Sequence, residues 1–113
     1  MTNSVQDNVF LLSWDKDVTL KNVDEFRATV RTLLESDKRK LLLKLSGVSY
    51  LNSAALGVIA DAVLASGRMD KELVLADIQP TVDEIFQIVH FSTFMKIFMD
   101  IEDAYAYFQG ENG

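Results

Sequence analysis

Five residues near the middle of the chain, Leu41-Leu42-Leu43-Lys44-Leu45, limit the fold more than any others. A run this short and this apolar has no polar face to turn to solvent, so it reads as a strand covered on both sides. Leu73-Val74-Leu75-Ala76 is a second strand of the same kind, and Val9-Phe10-Leu11-Leu12, with Trp14 following Ser13, is a third. Val18 to Leu20 reads either as a short further strand or as a continuation of the turn after Asp15-Lys16-Asp17. Phe94 to Met99 reads as a loop running into a last strand, with its Met and Phe side chains filling the core.

Helical spacing fills the gaps between these strands. Val23, Phe26, Val30, Leu33 and Leu34 make one apolar face, opposite Asp24, Arg27, Arg31 and Glu35. Asn22 stands at the N-cap position, and Glu25 lies three residues on, as in a capping box. Leu56, Ile59, Ala60, Val63 and Leu64 form a second stripe, which Gly67 is placed to end as a left-handed C′ residue. Pro80 opens a third helix, with Thr81 and Glu84 at capping-box spacing and Val82, Ile85, Phe86 and Val89 on its buried face. Asp100 caps a fourth helix carrying Ile101, Ala104, Tyr105 and Phe108. Alternation of this kind predicts an α/β fold with a mixed, largely parallel sheet of four to five strands, about four helices and right-handed crossovers.

The 113 residues, 49% of them hydrophobic, suit one domain over residues 1–113, ordered from about 9 to 108 with frayed ends. A net charge of −6 opposes binding to nucleic acid or to an anionic membrane surface. With no cysteine there is neither a disulfide nor a thiolate metal site. Met1 to Asp7 lacks the basic and apolar regions of a secretory signal, and no apolar run is long enough for direct membrane insertion. These features point to a cytoplasmic protein.

Enzyme signatures are missing. Neither G-x-x-x-x-G-K-[ST], G-x-G-x-x-G nor G-x-S-x-G occurs, and the lone His90, near a helix end, has no ligand partners at metal spacing. No cofactor and no catalytic residue is expected. What remains is Asn52-Ser53 at a strand-to-helix junction. Either side chain can cap the helix by accepting from an orphan amide, worth about 1 kcal/mol. The serine hydroxyl can instead accept a phosphoryl group, which the amides and dipole of a helix start tolerate.

Val48-Ser49-Tyr50-Leu51-Asn52-Ser53-Ala54-Ala55-Leu56-Gly57-Val58 resembles the signature of the STAS family, and more narrowly of anti-sigma factor antagonists of the SpoIIAA and RsbV kind. Their pattern is a hydrophobic strand, a short loop, then Asp-Ser-[Ser/Thr]-Gly-Leu-Gly opening a helix. Gln79-Pro80-Thr81-Val82 is similar to the family's Ser-Pro-x-Val, and the likeness runs from about Val9 to Phe108. The resemblance implies a STAS-type fold and a non-enzymatic regulator of transcription in bacterial signalling. Its partner would be an anti-sigma factor serine kinase of the histidine-kinase-like ATPase fold, which phosphorylates Ser53 and so breaks the complex; a phosphoserine phosphatase resets it. Thr19, Asn52, Ala54, Ala55, Leu56 and Gly57 would then face the partner. The alternative is a constitutive docking subunit of a phospholipid transporter or signalling assembly, with no phospho-switch. Departures from the pattern fall at the switch: Asn52 for Asp, Ala54 for a hydroxyl residue, Ala55 for Gly. Lys16 and Thr19 stand where many members have the Gly and Asp of a Gly-x-[Leu/Ile]-Asp turn.

Overall fold

The computed structural model describes residues 3–6 and 8–111, with side chains for 8–110; residues 1, 2, 7, 112 and 113, part of the ends expected to fray, lie outside it. Four strands form one sheet in the order β1 (Asn3–Gln6), β2 (Val9–Ser13), β3 (Lys40–Lys44), β4 (Glu72–Ala76). β2, β3 and β4 are parallel, with Leu11 opposite Leu42 and Leu42 opposite Val74. β1 is antiparallel to β2. Helices α1 (Val23–Glu35) and α2 (Ser53–Arg68) make the two crossovers, followed by α3 (Pro80–Ile88), a 3₁₀ turn at Phe91–Thr93, and α4 (Ile101–Glu111).

Only three of the expected strands form. Val18 and Ile97 each make a single bridge, to Leu51 and Leu75, and the remaining strand, β1, falls in the stretch expected to fray. The reason at Ile97 is topological. Met95 and Ile97 pack in the layer with α1–α3, whereas Phe98 packs with α4 on the other side, so the chain is crossing the sheet edge and touches β4 only in passing. At Val18 the chain turns at once, because Thr19 N–H donates to Asn22 Oδ1 at 2.8 Å and Asn22 Nδ2 donates to the Asp17 carbonyl at 2.9 Å.

The central strand is buried on both faces, as its composition requires. Leu41, Leu43 and Leu45 join Leu12, Leu73 and Leu75 against α1, α2 and α3, while Leu42 and Val74 meet Ala104 and Phe108 of α4. α1 buries Val23, Phe26, Val30 and Leu33, its expected face. α2 does not: its buried residues are Ala55, Ile59, Ala62 and Ser66, about one position round from the expected stripe, and Leu64 is 51% exposed. Small side chains let this helix approach the sheet closely, and the larger apolar ones are left at its flank. On α3, Val82 and Phe86 are buried but Val89 is exposed, because the helix ends there and His90 turns left-handed at φ 60°.

Other helix ends also differ from expectation. Asn22 makes no side-chain cap, and Glu25 pairs with Lys16 at 3.4 Å, so no capping box forms. α3 is preceded by Gln79, and the Thr81 hydroxyl donates across to the Ser49 carbonyl at 3.2 Å. Gly67 lies inside α2, and the left-handed residue beyond its end is Asp70. Gly47 is the glycine its turn requires: its φ is +80°, and a Cβ there would sit 3.0 Å from the Asp15 carbonyl oxygen.

Candidate functional site

Loops leaving the C-terminal ends of the parallel strands β2, β3 and β4 meet at one end of the sheet, where open α/β folds place their sites. The loop after β2 and the loop after β3 are stitched by the backbone: Val18 N–H donates to the Tyr50 carbonyl at 3.0 Å and Asn52 N–H to the Val18 carbonyl at 3.1 Å. Asp17 adds a carboxylate clamp, its Oδ1 accepting from the Ser49 and Tyr50 amides at 2.7 and 3.1 Å. The Thr81–Ser49 bond ties the start of α3 to the same loop. This network brings Thr19 beside Asn52, although 33 positions separate them in the sequence.

At the start of α2 the two polar side chains divide their work. Asn52 is the N-cap, with Oδ1 accepting from the Ala55 amide at 2.8 Å. Ser53 is the first helical residue; it is exposed, and its hydroxyl makes no hydrogen bond among the described residues. The first turn carries no acidic side chain. A helix start with free amides and no carboxylate accommodates added negative charge at the serine oxygen.

The residues named from the sequence do not all reach the surface. Thr19, Ser53, Ala54 and Gly57 are exposed, Asn52 and Leu56 are partly buried, and a Cβ on Gly57 would meet nothing within 4 Å. Ala55 is fully buried, so its methyl packs in the core and is not offered to a partner. Sequence reasoning also missed residues here. Leu20, 88% exposed, and Tyr50, half exposed, line an apolar hollow of about 470 Å³ with Thr19, Lys21 and Asn52. The signal available for Leu20 was an isolated large apolar residue between polar neighbours, Thr19 and Lys21. Asp17 carried no such mark, since its role depends on a loop more than thirty residues away.

No cluster of three or more His, Cys, Asp or Glu side chains able to hold a metal occurs among the described residues, and no helix there is long and apolar enough to cross a membrane.

Comparison with known proteins finds relatives of this arrangement. A Bordetella bronchiseptica protein named as a candidate anti-sigma factor antagonist, BtrV, is 30% identical over 81 residues, 72% of this chain and 67% of its own. The anti-sigma-B factor antagonist of Staphylococcus aureus is 21% identical over 94 residues, 83% and 87% of the two chains. Among solved structures, a candidate anti-sigma factor antagonist of Thermotoga maritima superposes with a TM-score of 0.84 at 22% identity, covering 94% of this chain and 92% of that one. A sulfate transporter family protein of Wolinella succinogenes gives 0.77 at 13% identity, covering 92% and 87%. These two likenesses carry the fold alone. The family model described as STAS domain matches residues 1–104, the whole sheet and its helices as far as the first turn of α4, and the chain belongs to the STAS domain family.

Proposed function

We propose that the chain is an anti-sigma factor antagonist that works by partner switching. Unmodified, it binds an anti-sigma factor serine kinase of the histidine-kinase-like ATPase fold through the surface around Ser53; phosphorylated on Ser53, it is released, and a phosphoserine phosphatase restores it. The observation that carries this reading is the division of labour at the start of α2. Asn52 satisfies the cap, so the exposed Ser53 hydroxyl is not committed to holding the helix together.

In the transfer, Ser53 Oγ forms a bond to the γ-phosphorus of the partner's ATP as the bond to the bridging oxygen breaks. ADP leaves, and the hydroxyl proton passes to a base of the kinase. The phosphoserine brings about −1.5 to −2 charge. The fold tolerates it at a helix start, while the docking surface changes sign. Asn52 retains the acceptor oxygen that a cap needs, so the missing carboxylate costs the helix nothing in hydrogen bonding.

The test is incubation with the cognate kinase and Mg-ATP. A phosphate-sized mass increase is expected on the wild type and none on Ser53→Ala, and Ser53→Asp is expected to weaken kinase binding about tenfold or more through like charge in the interface. Absence of the mass increase with every serine kinase of the source organism overturns the phospho-switch.

A second reading has its own support. Asn52 and Ala54 in place of the usual switch residues suit a constitutive docking subunit of a phospholipid transporter or signalling assembly. Co-purification with a transporter ATPase, unaffected by Ser53→Ala, selects it.

A further inference from the structure

The outward face of α1 and α2 carries a feature that the switch does not use. Between the two helices runs a furrow of about 420 Å³, whose α2 side begins at Val58, on the helix that Ser53 opens. Its floor is apolar: Val30 and Ala62 are buried, with Leu34, Val58 and Leu64 along the sides. Its rim is basic. Three of the chain's four arginines, Arg27, Arg31 and Arg68, stand on it, in a protein whose net charge is −6. Arg27 is paired with Asp24 on its own helix, but Arg31 and Arg68 make no ion pair or hydrogen bond among the described residues. Among the described residues Asp61 is the one acidic residue lining the furrow, so with Arg27 paired to Asp24, two guanidinium groups stand against a single carboxylate.

Solubility does not explain this arrangement. The packing of α2 through Ala55, Ile59, Ala62 and Ser66 leaves Leu64 exposed and Val58 half-buried, and the unpaired arginines flank those apolar groups. Arg68, in the last turn of α2, also complements that helix's dipole, but Arg31, mid-way along α1, has no such local role.

We infer that this furrow docks an amphipathic helix of a partner protein, with an apolar stripe against Val58, Leu64 and Leu34 and acidic residues at its edge facing Arg31 and Arg68. Charge complementarity fixes the sign of the partner, since the two unpaired guanidiniums match carboxylates. Shape fixes its class. Most lining side chains are partly or fully exposed, which suits a ridge laid across them; a small ligand needs to be enclosed over most of its surface. From Val58 to Arg68 the furrow spans about 15 Å at 1.5 Å per residue, nearly three turns of a docked helix.

The test uses the intact, isotope-labelled chain and two synthetic amphipathic helical peptides with the same leucine stripe, one flanked by glutamate and one by lysine. Amide shifts are expected in Arg27–Leu34 and Val58–Arg68, with the glutamate peptide bound about tenfold more tightly, the combined effect of two exposed ion pairs. Arg31→Glu with Arg68→Glu should invert that preference, and Arg31→Gln with Arg68→Gln should abolish it, each variant first giving a wild-type amide spectrum away from the furrow. Equal binding of both peptides, or shifts centred on Leu20 and Tyr50, overturns the proposal. So does saturation of the furrow by decanoate in preference to the glutamate peptide, or self-association of the free chain through this face in sedimentation.

Discussion

Two asparagines stand immediately before two helices, and they behave differently. Asn52 caps α2 through the Ala55 amide. Asn22 leaves α1 uncapped and spends its side chain backward, accepting from Thr19 N–H and donating to the Asp17 carbonyl. The first asparagine stabilises a helix, while the second stabilises the turn in front of one. That turn carries Thr19 and Leu20 to the side of Tyr50 and Asn52, so α1 forgoes its cap in favour of a fixed loop at the site. α1 can do so because its Val23, Phe26, Val30 and Leu33 are buried, and tertiary packing supplies most of a helix's stability.

The contrast can be broken most severely at Asp17, which links both helix starts. Asp17→Ala removes the carboxylate from the Ser49 and Tyr50 amides and should cost about 2 kcal/mol in urea unfolding, because hydrogen bonds to charged groups are the stronger ones. Next comes Asn52→Ala, expected to cost about 1 kcal/mol as an ordinary lost N-cap in the same measurement. Gly57→Ala should run the other way. With open space at its Cβ and a helical position, alanine is expected to stabilise by about 0.8 kcal/mol. If that variant is also weaker in partner binding, the glycine is kept for the interface. The smallest and sharpest comparison is one substitution made twice. Asn52→Asp keeps the acceptor and adds charge at a helix start, for a gain of about 0.5 kcal/mol. Asn22→Asp also adds charge at a helix start, but there it meets Asp24 and Glu25 and loses the donor to Asp17, for a net loss of about 0.5 kcal/mol. Equal signs in paired chemical denaturation curves would mean that the two asparagines do the same job.

Much of the fold could be read from residue order because its signals were local. The Leu41–Leu45 run announced a doubly covered strand, and the stripe of α1 announced its buried face. The buried side of α2 was less legible, since periodicity weighs large apolar residues and here alanine and serine join Ile59 at the buried positions. The edge strand β1 gave little apolar signal, Val5 being its single apolar residue, because it is held by pairing with β2 along Asn3–Gln6. At the site, Asn52 and Ser53 were legible as a helix start, but which of them caps depends on backbone geometry. Leu20, Tyr50 and Asp17 were invisible as a group because contacts between loops far apart in the sequence, the Val18–Leu51 bridge and the Asp17 clamp on the Ser49 and Tyr50 amides, bring them together.

The uneven division of helices across the sheet bears on how the protein opens. Among the described residues α4 alone covers one face, over a cluster of Val9, Leu11, Leu42, Val74 and Ala76, with Lys40 Nζ donating to the Phe108 carbonyl and the Tyr107 hydroxyl to Glu72 among its polar pins. A helix held by a small cluster of its own can detach while the larger core stays intact, so its amides should exchange with solvent at a lower opening free energy than those of β3 or α1. Such an opening bares a strip of sheet composed of Leu42 and Val74 and leaves the loops around Ser53 undisturbed. Time spent with α4 detached, and not loss of the switch end, would then set how readily the protein sticks to itself or is cut by proteases.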